Sequence, residues 1–127
     1  MEMREVEIST LEWPALDWAV AAAIGAKPEF ANPIFGFYIS THPECTGGVI
    51  PASGYPFSPS LKWAQVGPMM ESYSPIFTIC RGQVRAEILH GVGFGENYRA
   101  AFCRAVVDAH SATGTVMVPV DLVGPKP

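Results

Sequence analysis

The chain has 127 residues, a formal net charge of −4, 49% apolar residues and only 16% charged ones. That length makes one domain with one core. The apolar excess leaves surface over for a ligand, a partner or another copy of the chain. The eight Lys and Arg residues are scattered, which argues against duplex nucleic acid, a ligand normally held by clustered basic contacts to phosphate.

Three cysteines, Cys45, Cys80 and Cys103, lie far apart and form no CxxC pair. The odd count and wide spacing speak against a disulfide scaffold and against a zinc site, and point to free thiols in a reducing compartment. No apolar run reaches the roughly 20 residues that a membrane-crossing helix requires. Met1-Glu2-Met3-Arg4-Glu5 lacks the basic-then-apolar order of a signal peptide. The expectation is a cytoplasmic protein with no membrane partner.

Val6 to Ile8 reads as a short strand. Ser9-Thr10-Leu11-Glu12 has the form of a capping box, with Ser9 as N-cap and Glu12 reaching back, and Pro14 falls in the first turn where its missing N–H costs little. The helix runs on to Ile24, Gly25 closes it, and Pro28 forbids resumption. Trp13, Leu16, Val20 and Ile24 follow three- and four-residue steps and so share a face. Residues 26–56 are rich in Pro and Gly and are expected to be a loop region. Within it Ile34 to Ser40 is aromatic and β-branched enough to be a strand, while Thr41 to Pro56 is a long loop, which in compact domains is commonly functional or poorly ordered.

Ser60 reads as the N-cap of a short helix over Leu61-Lys62-Trp63-Ala64-Gln65, which Gly67-Pro68 would break. Pro75 to Cys80 and Val84 to Leu89 are two strands, the second alternating apolar with charged residues, and Arg81-Gly82-Gln83 is the turn between them. His90 to Gly95, with its three glycines, reads as a flexible connection. Glu96 to His110 is a second long helix with a stripe of Tyr98, Phe102, Val106 and Ala109, widened by Cys103 and Val107. Gly114 ends it, Val116-Met117-Val118 makes a last short strand, and residues 124–127 form a frayed tail. The fold class that follows is α+β: two main helices packed on a small, mostly antiparallel β-sheet, in a single domain over 1–127.

Three segments carry a resemblance: Ala15-Leu16-Asp17-Trp18-Ala19-Val20-Ala21; Phe57 to Glu71, the most specific of the three; and the C-terminal helix with Ala101, Cys103, Arg104 and Ala105. In this order they resemble the NinX-like family of tailed-phage accessory proteins. Where that family's pattern reads Ser-Thr-Asp-Trp, this chain has Ser60-Leu61-Lys62-Trp63; where it reads Gln-Gly-Gly-Pro, this chain has Gln65-Val66-Gly67-Pro68. A carboxylate is lost at Lys62, and one glycine, Gly67, is kept for a close backbone approach. The resemblance implies a phage setting and carries no established chemistry with it.

The segment from Ser58 to Glu71 is the candidate ligand surface. Ser58, Ser60, Lys62, Trp63, Gln65 and Gly67 bring together hydroxyls, a helix start, a cation, an indole for stacking, an amide and a glycine. The competing reading has Ser60 as a cap, Trp63 in the core and Gly67-Pro68 as a plain turn. Asp17, Trp18 and Arg104 are grouped with this surface. Asp17 disfavours a helix interior, which suggests a tether to a loop N–H or to Arg104.

His42, His90 and His110 share no ligand spacing, and His42 beside Cys45 lacks the geometry that a nucleophile and its base require. Gly91-Val92-Gly93-Phe94-Gly95 lies before a helix and offers backbone donors, but lacks the spacing and the lysine of a phosphate loop. Glu12, Glu71 and Glu87 have no catalytic spacing. The leading expectation is a non-enzymatic accessory protein, without metal or cofactor, that sequesters a small nucleotide-type ligand used in host defence. Its rivals are a protein–protein module that inhibits a host enzyme and a nucleotide hydrolase. A homo-oligomer is compatible with the composition.

Overall fold

A computed structural model describes residues 2–25, 28–32, 36–39 and 58–123, the two short stretches 28–32 and 36–39 by their backbone alone. The elements in chain order are β1 (Met3–Glu7), a 3-10 turn (Ile8–Thr10), α1 (Ala15–Ala23), β2 (Pro28–Asn32), β3 (Gly36–Ile39), α2 (Trp63–Tyr73), β4 (Ile76–Cys80), β5 (Gln83–Ile88), β6 (Gly91–Gly95), α3 (Tyr98–Ala109), β7 (Thr115–Pro119) and α4 (Val120–Val123). The class is α+β, with helices on small antiparallel sheets. The described strands fall into three of these: β1 with β7, β2 with β3, and β4-β5-β6.

The helix α3 is the centre of the molecule. One side lies on β5 and β6, another on α1, and α1 in turn meets β7. Every residue of α3 from Ala100 to Val107 is buried, as is every residue of α1 from Ala15 to Ala21. An amphipathic stripe therefore understates both helices, because each is covered on more than one side. The single-face reading of α1 holds for Leu16, Val20 and Ile24, which are all buried, and Gly25 ends the helix with φ +81°.

The glycines of β6 explain how α3 comes so close. Gly91, Gly93 and Gly95 pair through β5 with Ile88, Ala86 and Val84 and turn toward α3. A Cβ on Gly93 would overlap the Ala101 carbonyl oxygen and the Ala105 nitrogen, and would stand 2.8 Å from the Arg104 carbonyl carbon. A Cβ on Gly91 would run into the Ala105 carbonyl and sit 2.8 Å from the Ala109 Cβ, and one on Gly95 would lie 2.8 Å from the Ala101 nitrogen. Two residues of strand advance about 6.7 Å and four residues of helix about 6 Å, so alternate glycines keep step with Ala101, Ala105 and Ala109. Residues 91–95 are thus a paired strand and not a flexible connection. Three glycines suggest mobility when read alone, but here their missing side chains are filled by helix backbone.

Three other sequence expectations are corrected. Ser9 does not cap α1: it lies in the 3-10 turn, and the chain is extended at Leu11 (φ −69°, ψ 133°) before α1 starts at Ala15. Gly67-Pro68 does not break α2, which runs to Tyr73 with Pro68 inside it. The hydrogen bond that Pro68 cannot donate would go to the Ala64 carbonyl, and Ala64 is exposed, so water can serve it while Val66 and Met69 bury fully in the core. Ser74 in the left-handed region (φ 49°) supplies the stop. Third, Lys62 and not Ser60 is the N-cap residue of α2, without a side-chain cap bond.

The β4–β5 hairpin forms as read, with Arg81 and Gly82 both at positive φ (53° and 80°) as a two-residue turn of this kind requires. Asn97 caps α3, its side chain accepting from the Ala100 N–H at 2.8 Å. The strand Ile34 to Ser40 corresponds in part to β3, whereas Thr41 to Pro56 and residues 124–127 lie outside the described residues. Among the described residues no helix is long and apolar enough to cross a membrane.

Candidate functional site

The segment 58–62 is a turn closed on itself: the Ser58 carbonyl accepts from the Leu61 and Lys62 N–H groups at 2.9 and 3.0 Å. Its hydroxyls face inward. The Ser58 Oγ accepts from the Trp13 indole N–H at 3.2 Å, and the Ser58 N–H donates to the Gln65 Oε1 at 2.6 Å. The Ser60 N–H donates to Asp17 Oδ1 at 2.9 Å and the Ser60 hydroxyl to Asp17 Oδ2 at 2.7 Å. Ser58, Ser60, Gln65 and Asp17 are all buried, Asp17 with 0% exposure. The tether expected of Asp17 thus goes to a loop N–H and hydroxyl rather than to Arg104.

Arg104 is spent elsewhere. Its Nε and Nη2 donate to the Leu11 carbonyl at 3.1 and 2.7 Å, and its Nη1 to the Phe94 carbonyl at 2.8 Å. The same Nη1 lies 3.6 Å from Glu96. The arrangement makes Arg104 a brace between the extended stretch before α1 and the outer edge of β6. That edge is also held by Asp108, which accepts from the Val92 N–H at 3.0 Å. Trp18 is buried in the core cluster.

The outward part of the segment is different. Leu61 and Trp63 are 50% and 51% exposed, and Lys62 is exposed beside them. The Arg99 guanidinium lies over the Trp63 ring, 5.1 Å from its centroid, and the Arg99 Nε donates to the Ser60 carbonyl at 3.3 Å. An arginine over an indole is a favourable cation–π contact. Gly67 has open space where a Cβ would stand, so no close approach of the described chain requires a glycine there. The candidate residues therefore divide in two. Ser58, Ser60, Gln65, Asp17, Trp18 and Arg104 form a buried frame, and Lys62 and Trp63 stand on the surface that it supports. Arg99 joins that surface. Sequence reasoning missed it, and a signal was available: Arg99 and Ala100 follow the Asn97 cap, on the first turn of the helix.

The chemistry of the frame is dominated by burial. Burial pushes the Asp17 carboxyl up from 3.8 to about 7, against the two bonds from Ser60, which pull it down. Burial, and then the nearby Asp17 charge, raise the Cys103 thiol well above its usual value, outweighing Arg104 and Arg99. Such a thiol is held neutral and is a poor nucleophile. Cys80 is exposed. Among the described residues no group of three His, Cys, Asp or Glu side chains stands ready to hold a metal ion; His42, Glu44 and Cys45 lie outside the described residues. Gly91 to Gly95 does not cradle an anion at the start of α3, because its glycines face α3 backbone. No protein-family model matches the chain, and no curated protein sequence matches it.

Proposed function

We propose that the chain is a non-enzymatic binding module whose contact surface is Leu61, Lys62 and Trp63 with Arg99, and that its partner is a protein segment with apolar and acidic side chains. One observation carries this reading: an indole and a leucine, each about half exposed, stand beside two cations on a segment fixed from below. Trp and Arg, here an exposed Trp63 and a half-buried Arg99, are residue types that dominate protein–protein contact energies. Lys62 and Arg99 favour an acidic partner. The inward turn of Ser58, Ser60 and Gln65 leaves few donors for a small polar ligand, which favours a protein partner over a pocket. The resemblance to NinX-like phage proteins suggests a host protein, and inhibition of a host enzyme is the form such a module would take.

The test is affinity capture from host lysate with the wild-type chain and with Trp63→Ala. A partner retained by the first and lost by the second supports the reading; equal capture by both overturns it. A second reading, sequestration of a nucleotide-type signal in counter-defence, draws support from the same indole, which offers a flat face beside cations. Calorimetry against cyclic dinucleotides and ADP-ribose derivatives would show binding that Trp63→Ala abolishes; absence of heat with all of them removes this reading.

A further inference from the structure

We propose that Asp17 is a proton-operated latch for the Leu61-Lys62-Trp63 surface: its buried carboxyl group holds Ser60, and ionisation of that group loosens the 58–62 turn. The inference rests on the proposed function only for the use made of the surface, since the latch itself is a property of the isolated chain.

The geometry supplies a continuous path. Asp17 is fully buried and holds both the N–H and the hydroxyl of Ser60. The carbonyl of the same Ser60 holds Arg99, and Arg99 lies over Trp63. One residue therefore joins a carboxyl group in the core to an indole on the surface. Among the described residues Ser60 makes its hydrogen bonds to α1 through Asp17 alone, so the carboxyl group is the anchor of the turn at that point.

A carboxylate with no exposure and no ion pair favours its neutral form. The titratable group of α3 that feels the Asp17 charge is Cys103, which also feels Arg104 and Arg99 on the same helix. Arg104 is committed to the Leu11 and Phe94 carbonyls and to Glu96, and Arg99 to Ser60 and Trp63. The ion pairs among the described residues are Arg85 with Glu87 and Arg104 with Glu96, so Asp17 is paired with neither arginine. Cys103 is held neutral by burial.

When Asp17 carries its proton, the acid donates to the Ser60 hydroxyl, its other oxygen accepts the Ser60 N–H, and both bonds survive without a buried charge. When it ionises, the packed site holds a charge that an opened turn would hydrate. Opening of the turn is then favoured progressively as the pH rises, and Arg99 loses its carbonyl partner.

Hydrogen exchange by nuclear magnetic resonance on the full chain tests this. The Leu61 and Lys62 amides, both bonded to Ser58, are followed from about pH 6 to about pH 8 as protection factors, so that base catalysis cancels. Proton linkage for an acid at about 7 when packed and 3.8 when free predicts about a tenfold loss of protection over that range. Asp17→Asn, which can keep both bonds to Ser60, is expected to show none. A change under about twofold in the wild type, a loss that persists in Asp17→Asn, or protection at Leu61 and Lys62 as high as at Val106 in α3, the mark of exchange by global unfolding, would each overturn the latch. Should Asp17→Asn fail to fold, the Asp17 carboxyl carbon is titrated in the wild type: a midpoint in the ordinary carboxylate range overturns the proposal, and one near neutrality, with the turn amides protected less than Val106 throughout, supports it. None of these readouts needs a partner, so a failed capture experiment and a failed latch are told apart.

Discussion

The two faces of α3 are built on opposite physical plans. Toward β6 the contact is close and mostly backbone: Gly91, Gly93 and Gly95 meet the Ala101, Ala105 and Ala109 side of the helix with no room for a methyl group, and Arg104 and Asp108 bond the strand along its edge. Toward the 58–62 turn the contact is polar: Arg99 meets the Ser60 carbonyl, which Asp17 secures from the other side. The close-packed contact is intolerant of volume. The polar one tolerates similar shapes and responds to charge. The molecule thus answers to volume on one side of α3 and to the protonation of a buried acid on the other.

The sharpest way to break the close-packed side is Gly93→Val. Its branched side chain would have to enter space held by the Ala101 and Ala105 backbone, which cannot rotate away as a side chain can. The expected outcome is loss of the cooperative transition in urea, followed by circular dichroism. A folded Gly93→Val protein of near wild-type stability would show that α3 and β6 do not touch as described.

The polar side predicts a smaller, pH-dependent effect. The Asp17 carboxyl is raised in the folded state relative to the unfolded one, so between the two values the folded chain binds more protons. Its contribution to stability is fully present below about pH 4 and is lost as the pH rises to about 7. A change from 3.8 to about 7 corresponds to about 4 kcal/mol over that window. Urea midpoints at a series of pH values should fall across it in the wild type, and Asp17→Asn should lack that slope. A wild-type stability that rises with pH through this window would reverse the assignment of Asp17.

The smallest effect belongs to the outer surface. Trp63→Ala removes the contact with Arg99 and a half-exposed ring, and is expected to cost less than about 1 kcal/mol. Partner capture should fall while the urea midpoint scarcely moves. A large loss of stability would make Trp63 part of the core frame and not of a contact surface.

The contrast also explains which features were legible in the sequence. Elements that depend on local signals were: Gly25 closes α1, Arg81-Gly82 turns the hairpin, and β5 alternates. Asp17 in a helix interior pointed to a loop tether, and one exists. Features that depend on a partner distant in sequence were not. Gly91 to Gly95 gives no strand signal until α3 is laid upon it, and Pro68 stops a helix only where its lost bond is not replaced by water. Ser60 has the composition of a helix cap, yet Asp17, 43 positions earlier in the chain, claims its hydroxyl. Which of Ser58, Ser60, Lys62, Trp63 and Gln65 face outward depends on that same claim.

The matched spacing of β6 and α3 has a consequence for recognising related chains. Glycine at every second position, followed within a few residues by alanine at every fourth, is the pattern of this contact: enlarging a residue of the glycine row forces the two backbones apart. Descendants that diverge everywhere else would still have to carry the glycine row in phase with the helix. A search keyed to that double rhythm, rather than to the large apolar residues that drift most freely, is the one best suited to finding distant kin of this protein.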